Sequence, residues 1–234
     1  MFKLIRLEWK KNKLSRYFKG IIVCIAAIFA AVVLMGWGSR GEAEPMIADY
    51  SEFMSLTNIL IRIVFIIFSA VILSRLVIEE YKSNTIQLLF TYPLQRKKIM
   101  MSKLSIVFGF CFFSIILASI AINILTFYLN PIIGFVDVSV PLSDMLATIP
   151  SVFLSAFMIS GISLIPLYFG MRKKSTATTI TSSILIGFLI NSTVSDGASQ
   201  TSLFQFVGVP IIFCLLGLII GYFSFHKVDK NDVA

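Results

Sequence analysis

The chain has 234 residues, of which 57% are hydrophobic and 14% charged, with a formal net charge of +8. Soluble domains run at about 45–50% apolar and about 25% charged, so a water-facing globule is excluded and lipid must solvate the surplus. The excess of Lys and Arg does not make a nucleic-acid binder, because these residues flank apolar runs and form no separate basic domain to follow a phosphate backbone.

The first 19 residues, MFKLIRLEWKKNKLSRYFK, place Leu4, Leu7, Leu14 and Phe18 at helical spacing, with Phe2, Ile5 and Trp9 on a neighbouring stripe and basic residues elsewhere. This pattern predicts an amphipathic helix lying in the headgroup region, with Trp9 at the interface and its lysines toward anionic lipid. The same helix is placed to share in docking a cytoplasmic partner. The segment is too long and too charged for a secretory signal and lacks a small-residue cleavage site, so the apolar run after it is expected to stay as an anchor.

Six apolar runs follow, near 20–38, 56–78, 104–129, 146–169, 176–194 and 203–225. Each is close to the ~20 residues needed to cross about 30 Å of hydrocarbon. The expected fold is therefore all-α: a polytopic membrane protein with six transmembrane helices in a single domain, 1–234. Seventeen of the 20 Lys and Arg fall in the amino-terminal segment, the connections between spans two and three and between four and five, and the tail. Seven of the 12 acids fall in the opposite loops. Basic residues in short loops stay on the cytoplasmic side, which predicts a multi-pass protein with both termini cytoplasmic.

The outer segment NPIIGFVDVSVPLSDMLATIP carries Pro131, Pro141 and Pro150, which are expected to prevent a long continuous helix and leave a short re-entrant or interfacial piece. Cys24, Cys111 and Cys214 each lie within a span without metal-type spacing and read as small buried apolar residues.

Ionisable groups inside a span cost about 2.5–3.5 kcal/mol each at the bilayer centre on insertion scales. Arg75 lies three residues from the cytoplasmic end of span two, within snorkelling reach of water. Arg62 lies about 9 Å below the outer end of that span, where it either lines a pathway or is held by a structural partner or an outward snorkel. Thirteen residues apart, the two arginines point to nearly opposite faces and form no common site. Span five, STATTITSSILIGFLINST, is rich in hydroxyls, which bond back to their own helix or let helices pack closely. Asn123 in span three needs a partner across a helix interface, and Gly217 and Gly221 form a G-x-x-x-G in span six.

Hydrolytic chemistry has little to work with. His226 is the one histidine, at the very end of span six, and Glu79–Glu80 is followed after three intervening residues by Asn84 rather than by the Arg of a Glu-Glu intramembrane protease. No G-x-x-x-x-G-K-[ST] loop occurs, so the chain cannot hydrolyse ATP alone.

One stretch between spans two and three, EEYKSNTIQLLFTYPLQRKK (79–98), sets a compact apolar cluster between acids and bases. Ser83 or Asn84 can cap a short helix starting at Thr85, and Pro93 ends it and suits the first turn of the next. The resulting two-turn helix carries Ile86, Leu89 and Phe90 on one face, a face suited to lipid or to a groove in a partner, with flanking charges to set its register.

This stretch resembles the same connection in ABC-2 type transporter permeases, where a Glu, a Gly-Thr, a Leu-Leu and a Pro-x-x-Arg recur before a Lys. The matching residues are Glu79 or Glu80, Thr85, Leu88 with Leu89, Pro93, Arg96 and Lys103, with Asn84 in place of the glycine. The resemblance implies a coupling helix through which Glu79, Glu80, Thr85, Ile86, Leu88, Leu89, Phe90, Pro93 and Arg96 dock a cytoplasmic ABC ATP-binding subunit. It also implies a second permease copy or paralogue, ATP and Mg bound by the partner rather than by this chain, and a place in a bacterial cytoplasmic membrane. It points to short exporter subunits that handle antimicrobial or amphipathic peptides. The loop SDGASQT is too short for the two re-entrant helices of larger members. A non-transporting membrane scaffold that uses residues 79–98 to recruit another soluble protein is the alternative.

Overall fold

The computed structural model describes residues 2–11, 15–38, 50–82, 96–133, 142–195, 200–204 and 208–228. Helix α1 (Phe2–Lys11) precedes α2 (Ser15–Gly38), then α3 (Tyr50–Leu73), which runs through a π-helical turn (Ser74–Ile78) into α4 (Glu79–Lys82). Helix α5 (Arg96–Ile133) is followed by α6 (Leu142–Ile162), α7 (Pro166–Lys173) and α8 (Thr176–Ile190). Strands β1 (Thr193–Ser195) and β2 (Gln200–Ser202) form an antiparallel pair, and α9 (Gly208–Val228) closes the chain.

Apolar runs fold as helices because hydrocarbon offers no partner to a backbone N–H or C=O, and a helix satisfies both within itself. The outer faces confirm which solvent they meet. Phe113 is 71% exposed, Leu185 66% and Ile22 65%, a greasy perimeter that water would not tolerate around a soluble chain. Among the described residues, four helical stretches are long and apolar enough to cross a membrane: Tyr17–Gly38, Tyr50–Ile78, Lys98–Asn130 and Thr148–Lys173. Thr176–Ile190 and Gly208–Ser224 are apolar but shorter. The protein is membrane-embedded, and outside the three-residue strands its described part is helical.

Helices α3, α5 and α6 pack together at the centre, with α2 against α3 and α5, α8 against α3, and α9 against α6. Phe65, Ile66 and Leu73 of α3, Val107, Cys111 and Ile115 of α5, and Ala156 and Ile159 of α6 are all within the buried core. Ser69 and Ser163 bond across it, Oγ to Oγ at 3.2 Å. The α6–α9 crossing is the tightest. A Cβ on Gly161 would collide with Cys214 Sγ, and one on Gly217 with the Gly161 carbonyl, whereas Gly221 has 3.6 Å to its nearest neighbour. One glycine of the G-x-x-x-G is thus required by contact and the other is not.

Several boundaries differ from those expected. The second span was expected from residue 56, but α3 begins at Tyr50, whose hydroxyl donates to Asn123 Oδ1 at 2.7 Å. That bond supplies the partner Asn123 needs. The run 146–169 carries a break within the apolar stretch Thr148–Lys173, where α6 ends at Ile162 and α7 begins at Pro166. Leu164 N bonds to Gly161 O at 3.1 Å and Ile165 N to Ile162 O at 3.0 Å, a 3₁₀-type tightening ahead of Pro166, which has no N–H and starts α7. Pro150 lies inside α6 instead of interrupting it, on an exposed face where one lost backbone bond is tolerable. Span five was expected to run to residue 194 and SDGASQT to be a loop, but Thr193–Ser195 and Gln200–Ser202 pair as antiparallel strands, and α9 starts at Gly208.

The amino-terminal helix also presents another face than expected. Ile5 and Trp9 pack on the core and Glu8 is buried, while Leu7 is 64% exposed. The Trp9 ring lies 6.4 Å from Phe110, which also meets Tyr17 at 6.5 Å, Phe18 at 5.8 Å and Phe68 at 6.0 Å. Edge and stacked pairs of this kind add about 0.5–1.5 kcal/mol each beyond area burial. Helix α1 is therefore seated on α5. Residues 15–19, expected to belong to the interfacial helix, form the start of α2.

Candidate functional site

Chemistry-bearing side chains gather at two ends of the bundle. At the end rich in Lys and Arg, the rod of α3 leaves through the π-helical turn, in which the Glu79 amide bonds back five residues to Ser74 O. Such a turn widens the helix and often accompanies function. Lys103, two turns into α5, reaches across to it. Its Nζ donates to Leu76 O at 2.9 Å and to Glu80 Oε2. Lys103 is 3% exposed and Glu80 14%. An ammonium buried so deeply is tolerable only with a carboxylate and further acceptors in place, since desolvation of each ion costs several kcal/mol.

Glu80 is the hub. Its other oxygen, Oε1, accepts from Lys11 Nζ of α1 at 3.1 Å. One carboxylate thereby ties three parts of the chain: the amino-terminal helix, the exit of α3 and the start of α5. The Lys11 pair is half exposed and contributes little energy, so its value is geometric.

Of the residues expected to dock a partner, Glu80 turns inward to this clasp and Glu79 is exposed. Arg96 opens α5. Thr85, Ile86, Leu88, Leu89, Phe90 and Pro93 lie outside the described residues. Lys103 matched the sequence motif without a role; its partnership with Glu80 could have been suspected from opposite charges at the facing ends of two helices joined by a short connection.

At the other end, Arg62 projects from α3. Its Nη1 donates to Asn191 Oδ1 at 3.4 Å, and its guanidinium lies 3.7 Å above the Phe204 ring centroid. Asn191 in turn donates through Nδ2 to Gly187 O at 2.8 Å, which aims its carbonyl at the arginine. Arg75, by contrast, is exposed. Asn191 and Phe204 escaped sequence reasoning, although an amide at the end of a hydroxyl-rich span was a usable signal. The hydroxyls of that span bond to their own helix: Thr179 to Ser175 O, Ser182 to Thr179 O and Ser183 to Ile180 O. Among the described residues, no group of three His, Cys, Asp or Glu side chains could hold a metal.

The family model described as ABC-2 family transporter protein matches residues 4–191. An uncharacterized protein of Bacillus subtilis (strain 168), YcbO, is 36% identical over 231 residues, covering 98% of this chain and 99% of its own length. No solved structure matches the chain.

Proposed function

This chain belongs to the ABC-2 family of transporter proteins, and from that premise we propose that it is the permease subunit of an ATP-driven exporter. It works with a separate cytoplasmic ATP-binding subunit, which binds ATP and Mg and performs the hydrolysis. It pairs with a second permease copy or paralogue in a bacterial cytoplasmic membrane, both termini facing the cytoplasm, and its cargo is a hydrophobic or amphipathic molecule such as a peptide. The family match over residues 4–191 carries this reading, because it takes in the apolar helices from α2 through α8 together with the connection 79–98.

In this reading the basic end faces the cytoplasm and the ATP-binding subunit docks on residues 79–98. Closure of the two nucleotide-binding subunits displaces the docking segment, and packed helices move as rigid bodies when pushed at one end. Glu80 supplies the linkage, since it joins the segment to both α1 and α5. A push on the segment therefore shifts α5 and the amino-terminal helix together.

The test is copurification. Tagged chain, expressed with a candidate P-loop ATPase, is expected to retain that ATPase, and Leu89→Asp is expected to release it while still entering the membrane. Undiminished retention by Leu89→Asp would reject docking through this segment and favour the scaffold alternative.

A further inference from the structure

Arg62 is under-used by the protein that holds it. A guanidinium carries five N–H donors; among the described residues one of them is taken, by Asn191 Oδ1 at 3.4 Å, and the cation otherwise rests on Phe204. That hydrogen bond is long and weak. No carboxylate among the described residues pairs with Arg62.

Its depth matters. The first turns of α3, YSEFMSLTN, mix polar residues with Phe53, Met54 and Leu56, and the unbroken apolar run begins at residue 59. Arg62 is therefore about 5 Å inside that unbroken run, and about 9 Å below residue 56, at about 1.5 Å per residue. Helix α8 agrees with this level. A Cβ on Gly187 would stand 3.7 Å from Ile63 Cα, and α8 ends three residues later at Ile190, where the polar strand pair begins. The guanidinium thus sits where hydrocarbon gives way to headgroups, with donors that no other described residue takes and an aromatic ring beneath it.

We propose that Arg62, oriented by Asn191 and backed by Phe204, binds the oxyanion of an amphiphile in the outer leaflet, a phosphate or carboxylate group at headgroup depth. An oxyanion accepts the spare N–H groups side by side, the geometry that favours arginine over lysine. Phe204 meets the apolar portion of the same ligand. Placement in the outer leaflet rests on the orientation proposed above; the binding itself does not require an ATPase partner, so each idea can fail alone.

The experiment uses the full-length protein in detergent, titrated with phosphatidylglycerol or with diacylglycerol, which lacks the phosphate, and read by native mass spectrometry. Wild type is expected to hold phosphatidylglycerol about tenfold more tightly than diacylglycerol. Arg62→Gln should lose that preference. Asn191→Asp should lose it too, because it places a carboxylate on the guanidinium from within, and this variant keeps the fold testable if Arg62→Gln does not assemble. Competition by inorganic phosphate would assign the same site to a free oxyanion, and its absence would assign it to a headgroup. Equal phosphatidylglycerol binding by wild type and Asn191→Asp would overturn the proposal.

Discussion

Lys103 bears the steepest energetic demand of any single side chain here. Its ammonium is nearly sealed from solvent, held by Leu76 O and Glu80. Lys103→Met leaves the largely buried Glu80 carboxylate without the ammonium it faces, so it should destabilise the protein by about 3 kcal/mol, seen as a fall in the thermal unfolding midpoint in detergent. The double variant Lys103→Met with Glu80→Leu should recover most of that loss, because removing both charges also removes the desolvation penalty. Lys11→Ala should change stability by less than about 1 kcal/mol. Strict additivity of the first two changes would show that the pair is not coupled. Glu80 stood out in the sequence as a charge beside a span, but its partner lies 23 residues away across a turn, and only the antiparallel packing of α3 on α5 chooses it. Arg62 was likewise conspicuous by its cost, while Asn191 and Phe204 became its neighbours only because α8 stops short.

At the scale of elements, the α6–α9 crossing depends on two glycines that interlock. Gly217→Leu drives a side chain into the Gly161 carbonyl, and overpacking of this kind costs roughly 1–3 kcal/mol or more. The variant should show a lower yield of monodisperse protein on size-exclusion chromatography. Gly221→Ala, with 3.6 Å of clearance, should behave as wild type; equal damage from both would mean that the crossing is not where the structure puts it. Hydropathy could not separate these glycines, since both lie in the same apolar run. For the same reason it hid the break at Pro166, because proline removes a backbone donor without interrupting a greasy stretch. The strand pair after α8 falls where the sequence suggests a span end followed by a loop, since short Thr- and Ser-containing stretches carry no period strong enough to distinguish a three-residue strand from either.

For the whole molecule, composition alone settled the solvent: no arrangement of so apolar a chain could face water on all sides. Its orientation is a separate proposition with its own test. In a cysteine-free background, Lys173→Cys should react with a membrane-impermeant maleimide only after the membrane is opened, and Ser192→Cys should react in intact cells, as basic connections stay inside. The reverse pattern would invert the orientation. The apolar cluster Leu88, Leu89 and Phe90 and its charged frame are features of the sequence that lie mostly outside the described residues, and what the cluster grips is a question of function. That grip is measured most directly by the ATP turnover of the companion ATP-binding subunit, reconstituted in lipid with and without this chain. Turnover should rise several-fold when the chain is present and return to the solitary rate with Leu89→Asp. An ATPase whose rate ignores the chain, wild type and variant alike, would contradict the account.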